Sequence, residues 1–481
     1  MLRPLLLLLL AFALGSCTVG PDYERANVEV PATFRYADRE AMEVSNTLWW
    51  EQFQDPVLNA LILTALHENK DVKIAAARVE EYMGRFTENH SRRLPQIGGG
   101  VDAERSKAPE NSGPTPLGSG VNPIYENYQA VLGVSWELDI WGRLRRLDEA
   151  AHAELLASEE GRRAVILSLV SSVASSYVNL RNLDRQLEIA RATVKLRSDS
   201  YDIFKMRYTA SIVSEMELAQ SQSEYERSLA TVPRLESLVA QQENALAVLL
   251  GRNPGPLRRG QPLGQLSPPS IPKGLPSSIL EQRPDLRQAE LNLIAANARI
   301  GAAKALYFPT ISLTGLVGSV SGQLSDLFSG PAQTWSYAAA ANFPIFTAGG
   351  IAGQVQQANA IQRQSLLAYQ QAIQAAFKDV ENALIASQKS REQLATQARQ
   401  IDALRTYSRL ASLRYENGYT SYIEVLDAER NLFEAELNFA NTQGAVLGTM
   451  IDLYKATGGG WVEQAENLTR LEPASSGRTK P

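Results

Sequence analysis

The sequence Arg414-Tyr415-Glu416-Asn417-Gly418-Tyr419-Thr420-Ser421 lies between two helix-forming segments and predicts the turn of a helical hairpin. Asn-Gly pairs end helices because glycine readily adopts the left-handed backbone conformation. A related turn follows Arg207-Tyr208 earlier in the chain, and Glu217 and Glu424 stand at equal distances after the two tyrosines. The same features in the same order indicate an internal duplication.

Each turn ends an unusually long helix-forming run. The run from Arg143 to Thr209 contains no proline, and the run from Gln354 to Asn417 contains neither proline nor glycine. A helix of that length would extend roughly 100 Å, so it must pack along its whole length against a partner. Shorter helix-forming segments, Ser214 to Leu250 and Tyr422 to Thr457, supply the partner in each copy. We expect Pro233 to kink or offset the first of these return helices.

Period-two alternation predicts strands ahead of each hairpin. From Tyr128 to Leu138, and again from Trp335 to Phe343, apolar and aromatic side chains alternate with small or polar ones. A less regular strand-like segment precedes each of them, at Gln96 to Glu104 and at Thr310 to Ser319. These segments have about the 9–11 residues that a tilted β-strand needs to cross a membrane.

The predicted elements divide the chain into two structural repeats and three further segments. The first repeat covers residues 55–276, with a strand pair at 95–140 and a helical hairpin at 142–251. The second covers residues 277–460, with a strand pair at 308–345 and a hairpin at 349–458. The further segments are a signal peptide at 1–16, an N-terminal tether at 17–54 and a flexible tail at 461–481.

The N-terminus predicts export and a lipid anchor. Arg3, the apolar run from Leu5 to Leu14 and the small residues before Cys17 are typical of a secretory signal. Cys17, the only cysteine, stands where a bacterial lipoprotein box places its acylated cysteine, and acyl chains such as palmitate would anchor the tether. Thr18, in place of aspartate, favours the outer membrane. The alternative is a plain signal peptide with an incidental cysteine.

The strands cannot close into a barrel within one chain. Only helices and closed barrels satisfy the backbone in lipid, and we expect no apolar run of about 18 residues in the sequence after the signal. Four strands are too few, since the smallest membrane barrels have about eight. Spacing leaves a dimer of eight strands and a trimer of twelve equally open, with a small soluble sheet that caps the helices as the alternative.

Composition excludes several classes of protein. A net charge of −5 without a basic stripe argues against nucleic acid as a partner. Three histidines and one cysteine cannot supply a Cys/His metal cluster. The sequence contains no phosphate-binding loop, nucleophile elbow or HExxH motif, so we expect no catalysis, no metal site and no cofactor apart from the lipid on Cys17.

The ordered motifs resemble those of the TolC-like outer-membrane efflux proteins, in particular their lipoprotein branch, the NodT/OprM group. The motifs that carry the resemblance are Gly20-Pro21-Asp22-Tyr23, Trp49-Trp50, Glu137-Leu138-Asp139, Arg283-Pro284-Asp285-Leu286 and Val425-Leu426-Asp427-Ala428. The proline usual after the first motif is replaced by Arg25-Ala26. The resemblance implies an α+β membrane protein, a homotrimer whose chains give four strands each to a 12-stranded outer-membrane β-barrel continued by a long periplasmic α-helical barrel.

The resemblance also implies a function and partners. Such a protein is a passive exit duct, lipid-anchored in the outer membrane, for drugs and other small molecules. An inner-membrane proton-driven pump delivers them through a periplasmic adapter protein. A duct for type I protein secretion or for metal-ion efflux is the alternative within the same fold. A periplasmic adapter or scaffold would need a helical hairpin but not the duplicated strands.

The resemblance assigns a gate to the start of the last return helix. Ile423, Asp427 and Arg430 are spaced four and three apart and should share one helix face. By resemblance Ile423 matches an apolar ring, Asp427 an acidic ring and Arg430 its basic partner, with Glu424 and Tyr415 at further gate positions. The alternative is an exposed pair between Asp427 and Arg430 worth about 0.2–0.5 kcal/mol.

The two turns would form the tip that contacts the adapter. The tip residues are Ser211, Gly418, Thr420 and Ser421. The first copy has Gln220 and Ser223 where the second has Asp427 and Arg430. This inequality predicts that the second hairpin moves as the gate and that the first is the frame against which it closes.

Overall fold

The computed structural model describes residues 18–28, 31, 33–36, 48–107, 109, 124–269 and 281–470. The predicted signal at 1–16, the predicted lipidation site Cys17, and residues 471–481 lie outside these ranges. The chain forms two compact units. The sheet unit comprises residues 1–27, 79–158 and 289–369, and the hairpin unit comprises 28–78, 159–288 and 370–481. Neither unit is one of the predicted repeats, because each unit takes segments from both.

The sheet unit contains a four-stranded antiparallel sheet with the strand order β1-β2-β3-β4. Its strands are β1 (Gln96–Lys107), β2 (Ile124–Leu138), β3 (Thr310–Ser321) and β4 (Gln333–Asn342). The two predicted strand pairs join through β2 and β3, where Tyr128 pairs with Ser321. Leu132, Trp335 and Tyr337 are 58%, 72% and 82% exposed in the single chain. A soluble antiparallel sheet buries one face, so these exposed side chains argue against a soluble cap.

The helices match the predicted runs closely. They are α1 (Pro56–Glu68), α2 (Lys70–Ser91), α3 (Arg143–Thr209), α4 (Glu215–Leu249), α5 (Pro284–Ala305), α6 (Gly350–Glu416), α7 (Tyr422–Thr457) and α8 (Trp461–Arg470). α3 and α4 form the first hairpin, and α6 and α7 form the second; α3 and α6 have 67 residues each. Pro233 lies inside α4 and does not end it, so the first return helix is a single element.

One helix in the described part of the chain is long and apolar enough to cross a membrane by length and composition. α3 contains an 18-residue window with a mean hydropathy of 1.3. This window departs from the expectation that no apolar run of about 18 residues follows the signal. Because 56% of the window is buried inside the protein, its apolar composition is as typical of a helix in a protein core as of a membrane helix.

Aromatic rings from both ends of the sequence form the core of the hairpin unit. Trp49 stacks on Tyr454 with ring centroids 5.3 Å apart. Trp461 meets Trp49 and Trp50 edge to face at 5.9 and 5.7 Å and is 1% exposed. The last part of the predicted tether is therefore core structure, since Trp49 and Trp50 are also buried.

The prediction of a flexible tail from residue 461 is wrong for residues 461–470. These residues form α8, which begins with the buried Trp461. Glu466 of α8 accepts a hydrogen bond from Arg163 Nε at 2.8 Å and also pairs with Arg162. Burial of an indole together with two ion pairs outweighs the disorder that three preceding glycines predict.

A fully buried carboxylate joins three distant segments of the hairpin unit. Asp55 caps α1, with its Oδ1 accepting from the Val57 amide at 2.8 Å. Its Oδ2 accepts from the Tyr177 hydroxyl at 2.6 Å and from the Gln261 amide at 2.9 Å. The Tyr177 hydroxyl accepts in turn from the Gly260 amide at 2.9 Å. Burial, followed by this contact with Asp55, raises the pKa of Tyr177, so the hydroxyl stays a donor.

The contacts of Arg283 show the structural role of the Arg-Pro-Asp-Leu motif. Its guanidinium is 8% exposed and donates through Nη1 to the Ala456 carbonyl at 3.0 Å, near the end of α7. Asp285 holds the same guanidinium by a 2.7 Å contact with Nη2. The motif therefore fixes the last turn of α7 to the start of α5.

We predict that Trp461→Ala destabilises the hairpin unit by about 3–5 kcal/mol, because it leaves a cavity among buried rings. Thermal unfolding followed by tryptophan fluorescence should show a lower midpoint. Trp335→Ala is the matched control, since that indole is 72% exposed in the chain. Equal midpoints for the two variants would show that α8 does not stabilise the core.

Candidate functional site

The second turn has the backbone geometry that its Asn-Gly pair predicts. Gly418 has a φ of 75°, which favours glycine. Its amide donates to the Tyr415 carbonyl at 3.0 Å, and the Tyr419 amide donates to the Arg414 carbonyl at 2.9 Å. These two bonds close the end of α6.

The first turn has the same geometry without a glycine. Ser211 has a φ of 59°, and its amide donates to the Tyr208 carbonyl at 2.8 Å. The Ile212 amide donates to the Arg207 carbonyl at 2.8 Å. A serine in this conformation carries strain that Gly418 avoids, and sequence gave no sign that Ser211 would adopt it.

The predicted tip residues lie at these turns. Ser211, Gly418 and Ser421 are exposed, whereas Thr420 is half-buried. Two larger apolar side chains that sequence reasoning missed are also exposed there, Ile212 at 72% and Tyr419 at 77%.

Glu217 and Glu424 hold equivalent positions but make different contacts. Glu217 forms a capping box with Ser214, whose amide donates to Glu217 Oε2 at 2.9 Å. Glu424 instead accepts from Arg414 Nη1 at 2.9 Å and from the Thr420 hydroxyl. The first carboxylate therefore stabilises a helix start, and the second is held by side chains of its own turn.

Tyr415 lies where the two hairpins meet. Its hydroxyl donates to Glu217 Oε1 at 3.5 Å, a long hydrogen bond between α6 and α4. Its ring lies 5.3 Å from that of Tyr422, and Tyr422 lies 4.1 Å from Phe204 of α3. Burial, and then the charge of Glu217, raise the pKa of Tyr415, so it remains a neutral donor.

Arg430 belongs to a charge cluster that consists of Arg197, Glu224, Glu429 and Arg430, of which Arg197 and Glu224 are buried and the other two are half-buried. Arg430 Nε lies 3.4 Å from Glu224 Oε1, and Arg197 Nη1 lies 3.2 Å from Glu224 Oε2. Arg197 is 4% exposed and also donates to the Glu224 carbonyl at 3.0 Å. Three members of the cluster, Arg197, Glu224 and Glu429, were not predicted from sequence.

Burial shifts the titration of two members of the cluster. It lowers the pKa of Arg197, against the opposing effect of Glu224. It raises the pKa of Glu429, where the Arg197 charge acts in the opposite direction. Both shifts have the same cause, the loss of water around a charged group.

Asp427 and Ile423 face away from this cluster. Ile423 is 54% exposed and Asp427 is exposed one turn later. Asp427 Oδ2 accepts from Asn431 Nδ2 at 3.1 Å. No ion pair joins Asp427 to Arg430 within the described chain, so the alternative of a simple exposed pair is wrong. Arg430 also departs from the predicted shared face, because its side chain reaches Glu224.

The site offers no metal-binding group of three or more His, Cys, Asp or Glu side chains among the residues that the structure describes. The arrangement is instead one of exposed carboxylate and apolar side chains above a buried ionic contact between α4 and α7. Such an arrangement can attract cations and hold two helices together, and it provides no nucleophile with an adjacent base.

We predict that Glu429→Gln stabilises the folded chain at neutral pH and that the gain disappears at low pH. The pKa of Glu429 is raised from 4.5, so the fold binds this proton more tightly than the unfolded chain. The stability from that proton is complete below the unfolded pKa and is lost as the pH rises through the folded pKa. Glutamine keeps the neutral form at every pH.

Thermal unfolding of the unaltered chain and of Glu429→Gln, measured from low pH to neutral pH, tests the prediction. Glu434→Gln is the control, because Glu434 is exposed on the same helix and pairs only with the exposed Arg227. A gain for Glu429→Gln that is constant with pH, or absent at neutral pH, would contradict the prediction.

Comparison with known proteins identifies the family. The model of the outer membrane efflux protein family matches residues 61–252 and 275–459. The probable efflux pump outer membrane protein TtgC of Pseudomonas putida is 35% identical over 462 residues, which cover 94% of this chain and 95% of TtgC. The probable outer membrane lipoprotein SilC of Salmonella typhimurium is 36% identical over 460 residues, which cover 94% of this chain and 97% of SilC.

A solved structure with a similar fold is also an outer-membrane channel. The MtrE outer membrane channel of Neisseria gonorrhoeae superposes with a TM-score of 0.83 and 33% identity, over 92% of this chain and 99% of MtrE. The four-stranded sheet and the two long hairpins are therefore the fold of an outer-membrane channel. Because a family model matches most of the sequence and relatives match along nearly their whole length, the chain belongs to the outer membrane efflux protein family.

Proposed function

We propose that the chain is the outer-membrane duct of a tripartite efflux system. It is a passive path for drugs and other small molecules, which an inner-membrane proton-driven pump delivers through a periplasmic adapter. The observation that carries the proposal is the combination, in one chain, of an uncovered four-stranded sheet with two hairpins built on 67-residue helices. The names of TtgC, an efflux pump outer membrane protein, and of SilC, an outer membrane lipoprotein, support it.

The assembly that we propose is a homotrimer. Among the residues that the structure describes, β1 and β4 each pair with one other strand, so one edge of each strand has no backbone partner there. Pairing of β1 in one copy with β4 in the next would close a ring, and three copies would give twelve strands. Two copies would give eight, and a mass measurement of the detergent-solubilised complex distinguishes the two assemblies. Acylation of Cys17 would tether each copy to the outer membrane.

The gate we propose lies at the start of α7. In a ring with threefold symmetry, the exposed Ile423 and Asp427 would form an apolar ring and an acidic ring around the axis. Like charges on a common axis repel one another and favour cations. Glu424 and Tyr415 hold the neighbouring turn through Arg414 and Glu217. Arg430 acts here through Glu224 of the first hairpin, so it braces α7 and does not neutralise Asp427.

We predict that Asp427→Ala raises single-channel conductance in planar bilayers and weakens the preference for cations, because three carboxylates leave the constriction. Asp402→Ala is the control, since Asp402 is an exposed carboxylate on α6, 79% accessible. Both proteins should insert equally well. Conductance and ion preference identical to those of the unaltered channel would remove Asp427 from the gate.

A substitution at Gly418 tests both the proposed tip and the proposed efflux function. Gly418→Val should distort the turn, because valine disfavours a φ of 75°. It should therefore abolish dye efflux in bacteria that depend on this duct. Gly448→Val, at an open helical position on α7, is the control for insertion and assembly. Normal efflux by Gly418→Val would count against the tip as the adapter contact.

The inner-membrane partner tests the proposed class of transport. Mild crosslinking of the unaltered chain in cells, followed by purification, should recover a periplasmic adapter with a proton-driven pump. Recovery of an ATP-driven protein exporter or of a metal-ion pump would replace drug efflux by one of the two alternatives.

A further inference from the structure

A cavity of about 460 Å³ opens in the hairpin unit, where the end of α7 meets the start of α5. Its walls come from α3, α6 and α7, and the side chains of Arg283 and Asp285 lie at the junction. Ligand pockets in proteins occupy roughly 300–1,000 Å³, so the cavity has room for a small organic molecule. Its lining decides which kind of molecule that is.

Part of the lining is apolar. Leu167, Ala383 and Ala456 are buried side chains that line the cavity, and Ala164 and Ala386 add two more methyl groups. Small side chains on neighbouring helices leave the open volume between them. An apolar ring placed there would remove its own surface and theirs from water, which favours binding.

The charges of the lining do not balance. It contains three carboxylates against Arg283 and Lys455, a net charge of −1. Asp285 and Asp379 both approach Nη2 of Arg283, at 2.7 Å and 3.6 Å. Asp452 is exposed to the cavity, and it has no hydrogen bond or ion pair within the part of the chain that the structure describes. Loss of water to the cavity walls raises the pKa of Asp452, while the Lys455 charge acts in the opposite direction.

The cavity and the aromatic core lie on opposite faces of the same helices. Asp452 lines the cavity, and Tyr454, two positions later on α7, stacks on Trp49 in the core. On α3, Ile166 belongs to the core and Ser168 lines the cavity. Residues two positions apart point roughly 200° apart around a helix axis. α1 and α8 also pack in the core, and a duct cannot be open if they fill it. In the ring that we propose, the face with the cavity is therefore the inner one.

We propose that this cavity is a binding site for amphipathic organic cations on the inner wall of the duct, and that Asp452 selects them by charge. The apolar part of such a molecule lies against Leu167 and the alanines, and its positive charge meets the Asp452 carboxylate. The cation supplies the partner that this carboxylate lacks within the described residues, so it offsets the cost of partial burial. The inference rests on the proposed function and deepens it, since it names a class of cargo that the wall of the duct binds during passage.

Fluorescence anisotropy of ethidium, a planar aromatic cation, with the detergent-solubilised protein measures binding. Asp452→Asn keeps the shape of the side chain and removes its charge, so the affinity should fall about tenfold, as expected for one charged contact. Glu434→Gln is the matched control, because Glu434 is an exposed carboxylate on α7 that does not line the cavity. Equal affinities for Asp452→Asn and the unaltered chain would overturn the site.

Two further measurements separate charge from shape. Ala386→Phe, at an exposed position of the lining, should also weaken ethidium binding, because the added ring occupies the cavity. Fluorescein, an anionic aromatic dye, should bind more weakly than ethidium to the unaltered chain. Ethidium binding unchanged by Ala386→Phe would place the dye outside the cavity, and equal or tighter binding of fluorescein would overturn the preference for cations.

Single-channel recording tests the position on the inner wall. Ethidium bound there should interrupt the current, and the mean length of these interruptions should fall about tenfold in Asp452→Asn, because affinity changes act mostly on the dissociation rate. Ethidium that binds without altering the current would overturn the position on the inner wall.

Dye efflux from cells separates this inference from the proposed function. Normal efflux by a protein that binds no ethidium would remove the site and keep the duct. Binding that depends on Asp452, in a protein that exports no drug or dye, would keep the cavity as a cation site and remove the proposed function.

Discussion

The unpaired backbone at the edges of the sheet is the constraint on which the rest of the structure depends. Within the described parts of the chain, β1 and β4 each pair on one side only, and an unpaired backbone group is costly in lipid. Contact of the strand faces with water is also unfavourable, because Trp335 and Tyr337 are exposed there. A neighbouring copy relieves the edges and a bilayer relieves the faces. The ring that we propose, placed in the outer membrane, would meet both requirements.

Hydrophobic periodicity and the positions of proline and glycine were enough to predict most helices and strands, because the long helices contain few residues that favour another structure. They failed where distant packing decides. α8 escaped prediction because Trp461 packs on Trp49 and Trp50, which lie at the other end of the sequence.

The candidate site was predictable only in part for a similar reason. Spacing places Ile423 and Asp427 on an exposed face, as the structure has them. It does not fix the partner of Arg430, because a long side chain can reach around its own helix. Glu224, which Arg430 reaches, belongs to the other repeat. Arg197 gave a usable signal, since a charge amid the apolar residues of α3 requires a buried partner.

The unequal repeats give the proposed movement a physical basis. Ser214 and Glu217 stabilise the first turn through a capping box, whereas side-chain contacts of Glu424 hold the second turn, where Gly418 imposes little strain. Movement of α7 must separate Arg430 from Glu224. This pair is half-buried, since the Arg430 side chain is 35% exposed, and it costs little to separate when water reaches both charges, because their solvation offsets the lost attraction. A purely apolar contact at this position would resist opening through the whole of its buried area. The charges between the hairpins therefore suit a contact that fixes one arrangement and can still be opened.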